Sequence, residues 1–148
     1  MHNIRSTHNV GSLFRTADAV GVSKIYLVGY TPTPTDRFNR ERKDIVKVSL
    51  GAEKSVPYEY AKTIGPVIKK LKAEGFKIVA LEQDKESINY ENYKPEENVA
   101  LIVGSEVEGI PKSILKKCDM IIEILMKGKK ESLNVSVAAG VALFSLIR

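Results

Sequence analysis

The stretch Val99-Ala-Leu-Ile-Val-Gly-Ser-Glu-Val-Glu-Gly-Ile-Pro111 carries the pattern that decides the fold of this 148-residue chain. Residues 99–103 form an unbroken apolar run with no polar residue at alternate positions. A strand with one wet face alternates, whereas a strand covered on both faces does not. The run ends at Gly104, where the missing side chain lets a ligand or another stretch of backbone come close. Pro111 then opens a short helix over 111–117. Working outward, similar apolar runs stand at Lys24–Gly29, Phe76–Leu81 and Met120–Ile124. Helical spacing fills the intervals: Val10, Leu13, Phe14, Ala17 and Val20, with Asn9 as N-cap and Gly21 as stop; Ile64, Val67, Ile68 and Leu71, ended by Gly75; and an apolar helix over Leu133–Ile147. Strands alternating with helices predict an α/β fold, a mostly parallel sheet with helices on both faces. Thr31-Pro-Thr-Pro34 reads as a loop. Residues 35–55 read either as a solvated polar connection or as a charged arm, and 84–97 as a connection with a turn of helix. No strand leads into His2, and no internal repeat appears, so residues 1–148 read as one domain.

Composition narrows the classes. Hydrophobic residues make up 43% of the chain, enough for a packed core. The single cysteine, Cys118, leaves no internal disulfide and reads as a small apolar residue. His2 and His8 are the only histidines, so neither zinc nor another metal is expected. No apolar run approaches the ~20 residues of a membrane span, and residues 1–12 lack the apolar centre of a signal peptide. A cytoplasmic protein with no membrane partner is expected. The formal charge of +5 permits a polyanionic partner without requiring one.

Open α/β sheets place ligands at the carboxyl ends of their strands, and three segments lie at or beside such places. In Asn9-Val-Gly-Ser-Leu-Phe-Arg15, Asn9 and Arg15 are about 120° apart around a helix. They read either as a cap with a surface ion-pair partner or as two site residues. In Val103-Gly-Ser-Glu-Val-Glu-Gly-Ile110, Glu106 stands in the turn after a strand. In Ile124 through Gly140, Ser132, Asn134 and Ser136 crowd a helix start, more polar groups than one cap uses. Small residues Ala138, Ala139 and Gly140 follow, as where another backbone packs closely. No glycine-rich turn follows a first strand, which argues against a dinucleotide site or an ordinary Rossmann methyltransferase.

Together these segments resemble the three ordered motifs of the SpoU/TrmH family within the SPOUT methyltransferases: residues 9–19, 102–110 and 124–140, covering essentially the whole chain. The resemblance implies a C-terminal deep trefoil knot, which patterning alone excludes as too rare. It implies a homodimer in which one subunit's first motif completes the other's site. The apolar C-terminal helix, and Leu13 if it faces outward, are consistent with that interface. It implies S-adenosylmethionine as cofactor, held by Leu81, Gly104, Ile124, Met126, Ser132 and Leu133. The implied reaction is methyl transfer to a ribose 2′-hydroxyl of RNA, with tRNA favoured over rRNA. Arg15 would orient the hydroxyl and stabilise the developing alkoxide, Asn9 would position Arg15 or the ribose, Glu106 would hold Asn9 or Arg15, and Asn134 would fix the third motif's loop. Arg5, Arg37, Arg40, Arg42 and Lys129 would meet RNA phosphates. The rival reading is a knotted RNA- or nucleoside-binding module without catalysis.

Overall fold

The computed structural model describes residues 1–95 and 98–147; the last two positions of the connection expected over 84–97 fall outside them. The expected parallel sheet is present. Strand β1 (Ile25–Val28) pairs in parallel with β2 (Tyr58–Ala61), and β3 (Lys77–Leu81), β4 (Ile88–Asn89), β5 (Val99–Ile102) and β6 (Met120–Glu123) form a second sheet in the order β4-β6-β3-β5, again parallel throughout. The two sheets are joined by residues 1–3. Val28 N–H donates to Met1 O at 2.9 Å and Asn3 N–H to Val28 O at 3.1 Å, while His2 N–H donates to Val103 O at 2.9 Å. Residues 1–3 thus lie between β1 and β5, with Asn3 turning the chain at φ +56°. The terminal amine donates to Tyr26 O at 2.9 Å, and burial pushes that amine down to about 5.

Alternation along the strands divides the core. Val28, Ile78, Ala80, Ile102 and Ile121 face one side, where Ile64, Val67, Ile68 and Leu71 of α4 (Ile64–Ala73) and Leu115 of α5 (Lys112–Leu115) cover them. Leu27 and Val103 face the other side, together with Val10, Leu13, Phe14 and Ala17 of α1 (Thr7–Val20) and Ala139 of α6 (Val135–Leu146). Helices therefore cover both faces, as the unalternating runs require. Leu13 is only 3% exposed; it is a core residue, and it does not face outward as a dimer contact would.

Several elements depart from the sequence reading. Residues expected as a polar connection fold as α2 (Lys43–Ser49) and α3 (Ala52–Ser55), seated on α1 through Ile45 and Ala52. Their single buried turns are too short to display a period. β2 lies at the sheet edge with Glu59 and Tyr60 exposed, so it shows no apolar run. The first helix starts earlier than expected: Ser6 is its N-cap, accepting from Asn9 N–H, and Asn9 lies inside the first turn.

Gly11 is what allows α2 to lie against α1. A Cβ there would sit 2.8 Å from Ile45 O and 2.8 Å from Val48 Cβ, both of α2. On a free helix surface alanine would stabilise by about 1 kcal/mol relative to glycine. Here the sign reverses: Gly11→Ala lowers stability by about 1–3 kcal/mol, measured as a fall in the urea midpoint with little change in slope.

Candidate active site

All the sheet strands run the same way, so the segments following β1, β3, β5 and β6 emerge at one edge. Between the last three lies a cleft of about 750 Å³, within the range of small-ligand sites. Leu81, Gly104, Ile124, Met126, Ser132 and Leu133 all line it, so the expected cofactor positions are brought together from three separate strand ends. The reason for Gly104 is steric. A Cβ there would lie 2.6 Å from Ile110 Cγ1 and 2.7 Å from the carbonyl carbon of Gly109, because the 103–111 loop folds back on its own start through the Ser105–Gly109 bridge. Patterning missed Glu82, which secures that loop. Its carboxylate accepts the N–H of Ile110 at 2.9 Å and of Gln83 at 2.9 Å, and it occupies the space beside Gly109, whose φ is +67°. Gln83 in turn donates from Nε2 to Glu131 O at 2.7 Å, tying the β3 loop to the β6 loop. The available signal was a polar pair directly after an apolar strand.

At one end of the cleft the three motifs meet in a single chain of hydrogen bonds. Glu106 accepts from Asn9 Nδ2 at 2.8 Å, from Ser6 N–H at 3.1 Å and from Arg5 N–H at 2.9 Å. Asn9 Oδ1 accepts from Asn134 Nδ2 at 3.1 Å. Asn134 Oδ1 then caps α6, accepting Ser136 N–H at 2.9 Å, Ser136 Oγ–H at 2.6 Å and Val137 N–H at 3.4 Å. The orientation of both amides is dictated by the ends of the chain. A carboxylate can only accept and the helix N–H groups can only donate, so each amide has one workable arrangement. Partial burial pushes the Glu106 carboxyl up, but the Arg5 N–H, the Asn9 amide and the Ser6 N–H outweigh it and hold it below the usual carboxylate range. The polar residues at the start of α6 divide their tasks accordingly: Asn134 caps, Ser136 braces the cap and Ser132 lines the cleft. Gly140 does not mark a close backbone approach within this chain. The nearest atom to a Cβ there would be Thr16 Cγ2, at an ordinary 3.7 Å.

Arg15 stands apart from this arrangement. It is exposed, shares a face of α1 with Ser12, Thr16 and Ala19, and has no hydrogen bond or ion pair among the described residues. Glu106 therefore holds Asn9 and the chain entering α1, not Arg15. Arg5, Arg37, Arg40 and Lys129 are exposed and Arg42 is half-buried. All five lie in segments at the edge that carries the cleft. Cys118 is half-buried with its thiol donating to Ile114 O at 3.3 Å, and burial pushes it up to about 11, so it is unreactive at neutral pH. No group of three or more histidine, cysteine, aspartate or glutamate side chains among the described residues could hold a metal ion, and no described helix is long and apolar enough to cross a membrane.

The model of the SpoU rRNA Methylase family matches residues 1–144. A protein of Staphylococcus aureus assigned to the TrmH family of tRNA/rRNA methyltransferases is 32% identical over 148 residues, which is 100% of this chain and 57% of the relative. The chain thus spans little more than half the length of that relative. The structure of the AdoMet-bound rRNA methyltransferase of Sinorhizobium meliloti superposes with a TM-score of 0.84 at 31% identity, over 96% of this chain and 52% of the other. That of an RNA 2′-O ribose methyltransferase gives 0.82 at 26% identity, over 97% and 52%.

Because Glu106 is held below its ordinary 4.5, the stability it supplies is present in full above that value and is lost as pH falls through the lowered folded one. Glu106→Gln is therefore less stable than wild type by about 1–2 kcal/mol near neutral pH. The gap closes on acidification below the carboxylate range, as read from urea midpoints of both proteins along a pH series. A gap independent of pH would show that the carboxylate charge is not what matters.

Proposed function

This chain belongs to the SpoU rRNA methylase family, and on that premise we propose that it transfers a methyl group from S-adenosylmethionine to a ribose 2′-hydroxyl of tRNA or rRNA. The observation that supports this reading best is the joining of all three motifs at one cleft by the Glu106–Asn9–Asn134 chain. The fit to the cofactor is good. Gly104 lines the cleft, Leu81, Ile110, Met126 and Leu133 offer apolar surface, and the cleft is large enough for a nucleoside with an amino-acid tail. The family implies the C-terminal trefoil knot, which holds the loops 103–111 and 124–134 as the two walls. When bound, the cofactor supplies a methyl group already activated by a positive sulfur.

The chain's own residues then have two tasks, aligning the attacking oxygen and stabilising it as it loses its proton. A guanidinium with a pKa above ~12 is a poor base but a permanent donor, so Arg15 orients the hydroxyl and stabilises the developing alkoxide. Asn9, held at both ends of its amide, positions the ribose. Asn134 fixes the loop that carries Ser132 and Leu133. Arg15 performs this role from a second copy of the chain. Helix α6 is apolar on every side and leaves Val137, Phe144 and Ile147 exposed. Val137 and Phe144, with Ser12 and Thr16 of α1, border a groove of about 960 Å³. A homodimer seated there covers the apolar face and carries the neighbouring Arg15 to its partner's cleft. Arg5, Arg37, Arg40, Arg42 and Lys129 supply phosphate contacts around it. The chain spans little more than half of its relatives, which leaves the expected preference for tRNA without support, so both RNA classes stand.

Arg15→Ala abolishes labelled-methyl transfer from S-adenosylmethionine to bulk unmodified tRNA and rRNA, while cofactor affinity by calorimetry stays within about tenfold, ~1.4 kcal/mol. Full activity in that variant ends the assignment of Arg15. Absence of transfer by wild type, with cofactor and RNA both bound, favours the non-catalytic module instead.

A further inference from the structure

The loop from β1 to α2 is an ordered scaffold as well as a charged one. Thr35 and Glu41 form an antiparallel bridge. Asp36 N–H donates to Arg40 O at 2.9 Å, Asn39 N–H donates to Asp36 O at 3.0 Å, and Arg42 N–H donates to Pro34 O at 2.8 Å. The Asp36 carboxylate gathers the tip. It accepts the N–H of Phe38 at 2.8 Å, the N–H of Arg40 at 3.0 Å and Arg40 Nε at 2.8 Å, with Nη2 of the same guanidinium at 2.7 Å. Asn39 turns the chain at φ +60°, a conformation that asparagine tolerates. On this frame Phe38 is held outward, 62% exposed and outside every core cluster. The guanidinium carbons of Arg37 and Arg40 lie 4.8 Å and 5.0 Å from its ring centre.

A lone exposed aromatic is ordinary. An aromatic lifted by a turn's own hydrogen bonds, with two guanidiniums against its ring, has the parts of a nucleobase platform. Unpaired bases stack on aromatic rings and on guanidinium planes, and the same cations meet the phosphates on either side. Arg40 is fixed by Asp36, whereas Arg37 has no ion pair among the described residues and is available to a phosphate. The loop leaves the carboxyl end of β1, the edge that carries the cleft. Between them runs the entering segment whose Arg5 N–H is bound to Glu106. Tyr30, 54% exposed, stands at the same strand end.

We propose that Phe38, flanked by Arg37 and Arg40, stacks an unpaired base of the RNA substrate next to the nucleotide that enters the cleft. The inference rests on the RNA reading above and adds to it a preference: a duplex keeps its base faces stacked on one another, so the platform engages single-stranded or looped RNA.

The test uses the full chain and a short single-stranded RNA carrying 2-aminopurine, whose fluorescence falls on stacking, beside the same strand in a duplex. Wild type quenches the single strand and binds it. Phe38→Ala weakens that binding about tenfold or more and loses the quenching, with an unchanged salt slope, unchanged binding to the duplex and unchanged affinity for S-adenosylmethionine. Phe38→Trp restores binding and quenching. Arg37→Ala reduces the slope of log affinity against log salt by about 1. Single-strand affinity for Phe38→Ala within about twofold of wild type, or an equal loss on duplex and single strand, overturns the platform. If wild type still methylates RNA in that case, the platform alone falls. If wild type neither binds nor methylates RNA, the functional reading falls with it.

Discussion

One carboxylate organises the site. Glu106 sits at the N-terminus of α1, where the chain offers unpaired N–H groups and the positive end of a helix dipole. The first turn of α1 contains no acidic residue; the anion comes instead from a loop about a hundred positions away in sequence. Placing it there fixes the polarity of everything attached. Asn9 must present its NH₂ to the carboxylate and its oxygen to Asn134, and Asn134 must then turn its oxygen to the start of α6. Two helices and the loop after β5 are thereby locked at a common point. Each neutral link is worth about 1 kcal/mol net, and the bonds to the carboxylate more. Their larger effect is on uniqueness, because no member can rotate without stranding its neighbour.

The parallel sheet makes this lock useful. Strands running in one direction deliver their following loops to one edge, and loops without regular structure are otherwise the mobile part of a fold. Here each is restrained by its own device. Glu82 holds the 103–111 loop by the Ile110 N–H, Gln83 reaches across to Glu131 O, and Asn134 ends the 124–134 loop in a helix cap. Close backbone approach at Gly104 completes the wall. The cleft is therefore shaped by side chains that bind backbone, which leaves its own backbone groups and apolar side chains directed at a ligand.

Much of this was legible in the sequence, and what was not has a common cause. Apolar runs without alternation specified a sheet covered on both faces, helical spacing located α1 and α4, because one-sided burial leaves a local periodic trace, and α6 showed as a long apolar stretch. Leu81, Gly104, Ile124, Met126, Ser132 and Leu133 were named through the resemblance to the three motifs, and the fold gathers them around one cleft. The edge strand β2 left no such trace, since Glu59 and Tyr60 face solvent. Helices α2 and α3 are too short to show a period. Asn9 was misread as a cap because its neighbour Ser6 and a side chain 97 positions away divide the capping and the anchoring between them. A contact of that separation has no local signature. Glu82 left only a weak local mark, the polar pair it forms with Gln83 after an apolar strand, because its partner Ile110 lies 28 positions on.

The placement of charge at this edge follows from the same carboxylate. An acidic group beside the proposed RNA surface would ordinarily repel a phosphate, and Glu106 shares the cleft lining with Glu82, Asp84, Glu108 and Glu123, while Arg5, Arg37, Arg40, Arg42 and Lys129 stand around it. Glu106 lessens the conflict because its oxygens are taken by backbone and amide donors and its charge is set against the positive end of a helix. Asp36 is arranged alike: its carboxylate is spent on the turn that holds Phe38 and on the Arg40 guanidinium. Glu82, Glu106 and Asp36 thus act as internal fasteners, while Arg5, Arg37 and Lys129 are exposed.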